Sequence, residues 1–225
     1  MVNMSDINTR ELSKSLNELY QSGSYKEAVD LVLKNKGSYT PAIFHEHLGT
    51  LYLKNKDFGV ARFHLEKAVK KGLVNTNVRH NLKTVKKQIT TPDMDANHGF
   101  WQNFVSTGLS LPSGSFFVLS LLIIFTSLLL KRVKLIKNNY LAFTFVLLGL
   151  LPIGFQKLYL DKISYGVTLT QTPLIEGPSK IYSEITELEP GVKFIIGRQK
   201  EGWYLIKFPD NLVGWVEKKN IGIFK

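Results

Sequence analysis

The residues whose types and spacing could do chemistry are few. His45-Glu46-His47 is the one cluster with metal-ligand character. Side chains two apart on a helix point about 200° apart, so His45 and His47 cannot close on one ion. The H-E-x-x-H spacing of a helical zinc site is absent. His64 and His80 stand singly in helical patterns and are read as surface or core side chains. The chain has no cysteine, which excludes disulfides, thiolate metal sites and cysteine nucleophiles. No G-x-x-x-x-G-K-[ST] loop, G-x-G-x-x-G turn or G-x-S-x-G elbow occurs. No catalytic, metal-ligating or cofactor-binding residue is assigned, and an enzyme is not expected. What remains is aromatic: Gly202-Trp203 and Gly214-Trp215 repeat within a C-terminal stretch of β character.

The elements that would position those residues follow from charge and hydropathy. The chain carries a formal net charge of +11, and residues 100–160 hold five cations and no acid. Cations flanking an apolar segment point to a membrane rather than to nucleic acid, for which no reading module appears. Residues 109–130 are uncharged, and residues 138–160 are uncharged until Lys157. About 20 apolar residues cross the ~30 Å hydrocarbon core of a bilayer. The spacing therefore predicts two spans, the second bent at Pro152 and Gly154 and anchored by Tyr140, Tyr159 and a snorkelling Lys157.

Between the spans lies KRVKLIK, with Lys131, Arg132, Lys134 and Lys137 as the topology-determining cations. Short loops dense in Lys and Arg stay cytoplasmic, which places both flanking domains outside. The opening residues MVNMSDINTRELSK lack the apolar core of a signal peptide. That leaves an upstream start, translocation by the first span, or an inverted topology; both domains outside is the expected arrangement. Ahead of the first span, Phe100, Trp101, Phe104 and Val105 fall at helical spacing. They read either as an interfacial helix anchored by Trp101 or as an irregular, partly buried linker.

The N-terminal segment repeats itself. Residues 22–35 align with 55–68 at a period of 33, matching Tyr25 with Phe58, Ala28 with Ala61 and Val32 with Leu65. An apolar-periodic helix precedes each stretch, and Gly49 and Ala61 suit a close approach of two helices. A further helix at 75–89 places Val78, Leu82, Val85 and Ile89 on one stripe and reads as a solvating cap. The small, aromatic and apolar pattern resembles the tetratricopeptide repeat. That resemblance implies a protein-binding groove lined by Arg10, Asn17, Tyr20, Glu46, Thr50 and Lys54.

After Asp161, short β-type runs broken by Gly and Pro predict five or six strands forming a small closed barrel. In GWYLIKF, alternation sets Trp203, Leu205 and Lys207 against Tyr204, Ile206 and Phe208. The stretch from LIEGPS to IGIF resembles a bacterial Src-homology-3-type domain. The resemblance implies a non-catalytic binding module, with Trp203, Tyr204, Trp215 and Tyr182 as groove residues for peptide or cell-wall ligands.

The expected architecture is a multidomain membrane protein. It comprises an all-α helical repeat domain with a capping helix (1–90), a linker (91–111), two transmembrane helices around a basic turn at 131–139 (112–160) and a small all-β Src-homology-3-like barrel (161–225). That domain order resembles the BatE proteins of the Bacteroides aerotolerance group. The resemblance implies a two-pass bacterial inner-membrane scaffold with both soluble domains periplasmic, acting in aerotolerance or envelope stress without a cofactor. Its implied partners are von Willebrand factor A-type Bat proteins, a MoxR-type ATPase, and peptide or peptidoglycan. The alternatives are a cell-wall-sensing receptor and an accessory subunit that positions wall substrate for a hydrolase.

Overall fold

The computed structural model describes residues 4–224. The N-terminal segment folds into α1 (Met4–Gln21), α2 (Tyr25–Lys34), α3 (Pro41–Lys54), α4 (Phe58–Lys70) and α5 (Thr76–Lys86). Their ends are written in local chemistry. The Thr40 hydroxyl caps α3 by accepting from the Ile43 amide, with Pro41 pre-set in the first turn. The Asn75 side chain caps α5 by accepting from the Val78 amide at 2.8 Å. Gly72, at φ +92°, ends α4 in the left-handed turn that closes on Val69 and Ala68.

Two apolar clusters hold these helices. Ala28, Val29, Val32, Phe44, Leu48 and Leu51 join α2 to α3, and Ala61, Leu65, Val78 and Val85 join α4 to α5. The close approach expected at Gly49 is present: a Cβ there would lie 2.6 Å from Leu65 Cγ.

Residues 100–110 form a helix, α6 (Phe100–Ser110), rather than an irregular linker. It buries Val105, Ser106, Gly108 and Leu109 and leaves Phe100, Trp101 and Phe104 exposed. Next comes α7 (Ser115–Arg132), then α8 (Asn139–Leu148) and α9 (Leu151–Leu158). Two helical stretches, Ser115–Arg132 and Asn139–Lys162, are long and apolar enough to cross a membrane, with mean hydropathy 1.8 and 1.7. Their large side chains stay exposed because they pack on little except each other, as a lipid-facing surface would.

The second stretch breaks ahead of Pro152, where the Ile153 amide donates to Ser120 Oγ at 3.2 Å. A hydroxyl on the neighbouring span thus satisfies a backbone group freed by the break. Gly149 sits against Ile124 of α7, close enough that a Cβ would meet the Ile124 side chain at 2.6 Å. The turn between the spans is tied by Lys131 Nζ, which donates to the Lys137 carbonyl at 3.0 Å.

The C-terminal strands are β1 (Tyr165–Thr168), β2 (Thr172–Ile175), β3 (Glu184–Leu188), β4 (Lys193–Lys200), β5 (Trp203–Phe208), β6 (Gly214–Glu217) and β7 (Ile221–Phe224). All pair antiparallel in one sheet, ordered β3-β2-β6-β5-β4-β1-β7. The expected closed barrel is not formed: β3 and β7 are the two ends of the sheet and do not pair with each other.

The reason lies in what covers each end. Beside β7, the Phe63 ring of α4 fills the space over Gly222 and packs on Phe224 at 5.2 Å between centroids. At the other end, β3 exposes Glu184, Ile185, Thr186 and Glu187, a solvated and charged edge. The sheet still curls over a core of its own, formed by Leu174, Leu188, Val192, Phe194, Ile206 and Val216. Tyr165, Val167 and Phe224 face the other way, onto Met94, Val105, Leu109 and Leu160.

Leu109 precedes the first span and Leu160 lies in the last turn of the second, so both ends of the hairpin return to one packed body. The helical domain and the sheet therefore lie on the same side of any membrane the hairpin crosses.

Candidate functional site: the junction of helices and sheet

α4 offers Arg62 and Glu66, one turn apart on its buried side. The segment after α5 supplies Asp93 and Asp95, and β4 supplies Lys193. All five meet where α4 abuts the sheet. Arg62 Nε donates to Glu66 at 3.1 Å, Nη2 to Asp95 at 2.8 Å, and Nη1 to Asp93 and the Gly191 carbonyl. Lys193 Nζ reaches Glu66 at 2.8 Å, Asp95 at 3.4 Å and Ser110 Oγ at 2.9 Å. The Lys193 amide donates to Asp93 at 3.1 Å. Lys86 closes the rim by pairing with Asp95, so three cations face three carboxylates.

The electrostatics follow from burial. Burial alone would lower the pKa of Arg62 and Lys193, yet the carboxylates beside them hold both above their ordinary values. Burial likewise works to raise Glu66 and Asp95, and Lys193 with Arg62 overcomes it, leaving both acids below the usual range. Arg62, Lys193, Glu66 and Asp95 therefore stay charged near neutral pH. A buried network of this kind is costly to break at one member, because the remaining charge has nowhere to go. It locks helices, linker and sheet into one body.

The anticipated repeat groove is only partly free. Arg10, Asn17 and Lys54 are exposed. Tyr20 packs edge-on to Tyr25, with the Lys54 ammonium 5.6 Å from its ring. Glu46 accepts from Asn75 and Thr50 from Asn81, both at 3.0 Å. These two are spent on holding α5, so the open part of the face belongs to α1 and the end of α3.

The anticipated four-residue barrel groove does not assemble. Trp203 and Trp215 share a face, because Trp215 stands opposite Leu205 in the β5–β6 register. Tyr204 points the other way, against the sheet's own core and under Lys218 at 5.0 Å. Tyr182 lies over Gly177, where a Cβ would meet its ring at 2.6 Å. Trp203 is buried except for an edge that lines a shallow depression of about 490 Å³ with Lys180 and Glu217.

His45 and His64 meet Nδ1 to Nδ1 at 2.9 Å, bridging α3 and α4, while His47 faces Tyr39. Among the described residues no group of three or more His, Cys, Asp or Glu is placed to hold a metal ion.

Sequence reasoning missed the five-residue junction. The one signal available was Arg62 and Glu66 on the apolar side of α4, beside Ala61 and Leu65. Asp93 and Asp95 read as linker, and nothing local ties Lys193 to them. No family model, no curated protein and no solved structure matches this chain.

Proposed function

We propose that the protein is a two-pass membrane scaffold, non-enzymatic and of the BatE type. In this reading its helical domain and sheet act as one rigid platform outside an inner membrane. The observation that carries the reading is the buried Arg62–Glu66–Asp93–Asp95–Lys193 junction at one end of the hairpin. A scaffold must hold bound partners at fixed separation, and a platform without an internal hinge does that. The helical face at Arg10, Asn17 and Lys54 would grip a partner protein, such as a von Willebrand factor A-type Bat protein or a MoxR-type ATPase. The Trp203–Trp215 face would meet peptide or wall material. A wall-sensing receptor is disfavoured on the same ground, since a signal passing from sheet to helices needs an element with two arrangements.

The test is topology and contact together. Tags at both ends of the chain should be cut by protease in intact spheroplasts, and Arg10→Glu/Lys54→Glu should lose a partner that crosslinks to the wild type. Protection of both tags would make the protein a cytoplasmic-facing adaptor and remove wall binding from consideration.

A further inference from the structure

Where the two spans leave the apolar zone, a cleft of about 740 Å³ opens between the last turn of α4, the α6–α7 connection, the end of α9 and the β1–β7 edge. One wall is cationic: Lys67 and Lys70 of α4 and Lys71 just past its end stand along it, with Lys157 across at the end of the second span. The opposite surface is apolar, led by Phe116 in the first turn of α7 and by Leu160.

None of Lys67, Lys70 and Lys71 forms an ion pair among the described residues. Of the nearby carboxylates, Glu66 is engaged with Arg62 and Lys193, and Asp161, which itself lines the cleft, pairs with Lys157 at 2.8 Å. Ring faces hold the ammonium groups instead, Lys67 at 4.2 Å from the Phe63 centroid and Lys70 at 5.6 Å from that of Tyr165. Partial burial lowers the pKa of Lys67 and Lys70, and repulsion from Lys71 and Lys36 adds to it at Lys67 and from Lys193 at Lys70. Glu66 and Asp161 offset this only in part at Lys70. A cationic wall whose Lys67 and Lys70 are half-buried, and whose three ammonium groups have no ion pair among the described residues, calls for an anion.

Position decides which anion. Trp101, Phe104, Phe155 and Tyr159 pack on one another beside the cleft, at the ends of the spans. Aromatic clusters of this kind sit at headgroup depth, and basic pockets beside transmembrane helices take phosphate headgroups. The volume lies within the range of small-ligand sites.

We propose that this cleft binds an anionic phospholipid, with Lys67, Lys70 and Lys71 on its phosphate and an acyl chain running past Phe116 along the first span. The site does not depend on which protein the helical face grips.

The full chain, purified in detergent, should be melted with added phosphatidylglycerol, phosphatidylcholine or inorganic phosphate. Phosphatidylglycerol should raise the melting temperature, and phosphatidylcholine should not. Lys67→Gln/Lys70→Gln/Lys71→Gln should weaken the apparent lipid affinity at least tenfold, by the loss of three charged contacts. The charge-matched Arg79→Gln/Lys83→Gln/Lys87→Gln, on and just past α5, should keep it. Equal shifts with both lipids, or equal loss in both variants, would overturn the proposal. A full shift with millimolar inorganic phosphate would replace the lipid by a soluble phosphate ligand and overturn it too. If the triple variant fails to fold, the exposed Lys71→Glu alone must still lower lipid affinity.

Discussion

At the residue scale, the histidine pair shows how position sets chemistry. Burial depresses the pKa of His45 to about 4, with Lys67, Lys71 and Lys36 adding repulsion. Burial depresses His64 to about 3, with His45 and Lys67 contributing. Both rings are therefore neutral near pH 7 and share one hydrogen bond. The unfolded chain takes up protons near the ordinary value of 6.5, while the folded chain does so only much lower. Stability contributed by the pair is thus fully present above about pH 6.5 and falls as pH drops toward 4. His47 is lowered in the same direction by burial, partly offset by Glu46. Thermal melts should show a falling midpoint between pH 7 and pH 5, and a shallower fall in His64→Phe. An unchanged slope in that variant would mean the ring titrates like a free histidine.

At the element scale, α4 does the most joining. It packs on α3 through Gly49 and Leu65, on α5 through Ala61, and on the sheet through Phe63 and Gly59. A Cβ at Gly59 would lie 2.3 Å from the Leu169 carbonyl oxygen and 2.5 Å from that of Thr168. Those atoms are backbone at the end of β1, so α4 must lift from the sheet to make room. Gly59→Ala is expected to cost about 1–3 kcal/mol, the usual range for overpacking. Gly37→Ala, with open space around it, should be near neutral. Denaturant midpoints of the two variants separate these cases, and equal midpoints would mean the helix–sheet contact contributes little.

At the scale of the whole molecule, the junction network is expected to make two chemically different units unfold together. Tryptophan fluorescence, dominated by the sheet through Trp203 and Trp215, and far-ultraviolet circular dichroism, dominated by helix, should give coincident transitions in the wild type. Arg62→Met leaves Glu66 and Asp93 facing fewer cations in a buried site. It should cost about 3–5 kcal/mol and pull the two transitions apart, the sheet melting separately from the helices. Coincident transitions in that variant would show that the apolar contacts around Phe63 and Leu109 suffice to couple the units. The same body sits at one end of the hairpin, with Lys131, Arg132, Lys134 and Lys137 at the other. The molecule is thereby polarised along the membrane normal, with cationic residues at both levels where headgroups would lie.

The local signals in the chain determined the pieces. Apolar period placed α1 to α5, length and lack of charge placed the two spans, and β-type runs between Gly and Pro fall on every strand but β3. That strand was hidden because four of its five residues are exposed and two are glutamates, so it lacks the alternation that marks a half-buried strand. The face assignment along β5 was legible for Tyr204 and Ile206, but Phe208 pairs with Ile195 beyond a register shift and packs with the opposite cluster. What only tertiary structure decided is how distant pieces meet. The sheet stays open because α4 covers the β7 end, a contact between residues more than 150 apart that no window of sequence contains. Glu46 and Thr50 were drawn into the fold by α5 rather than left to a groove. Asp93 and Asp95 became buried counter-charges because α4 and β4 converge on a segment that reads as linker. Side-chain type and period are local quantities, whereas closure and charge pairing depend on which surfaces the folded chain brings together.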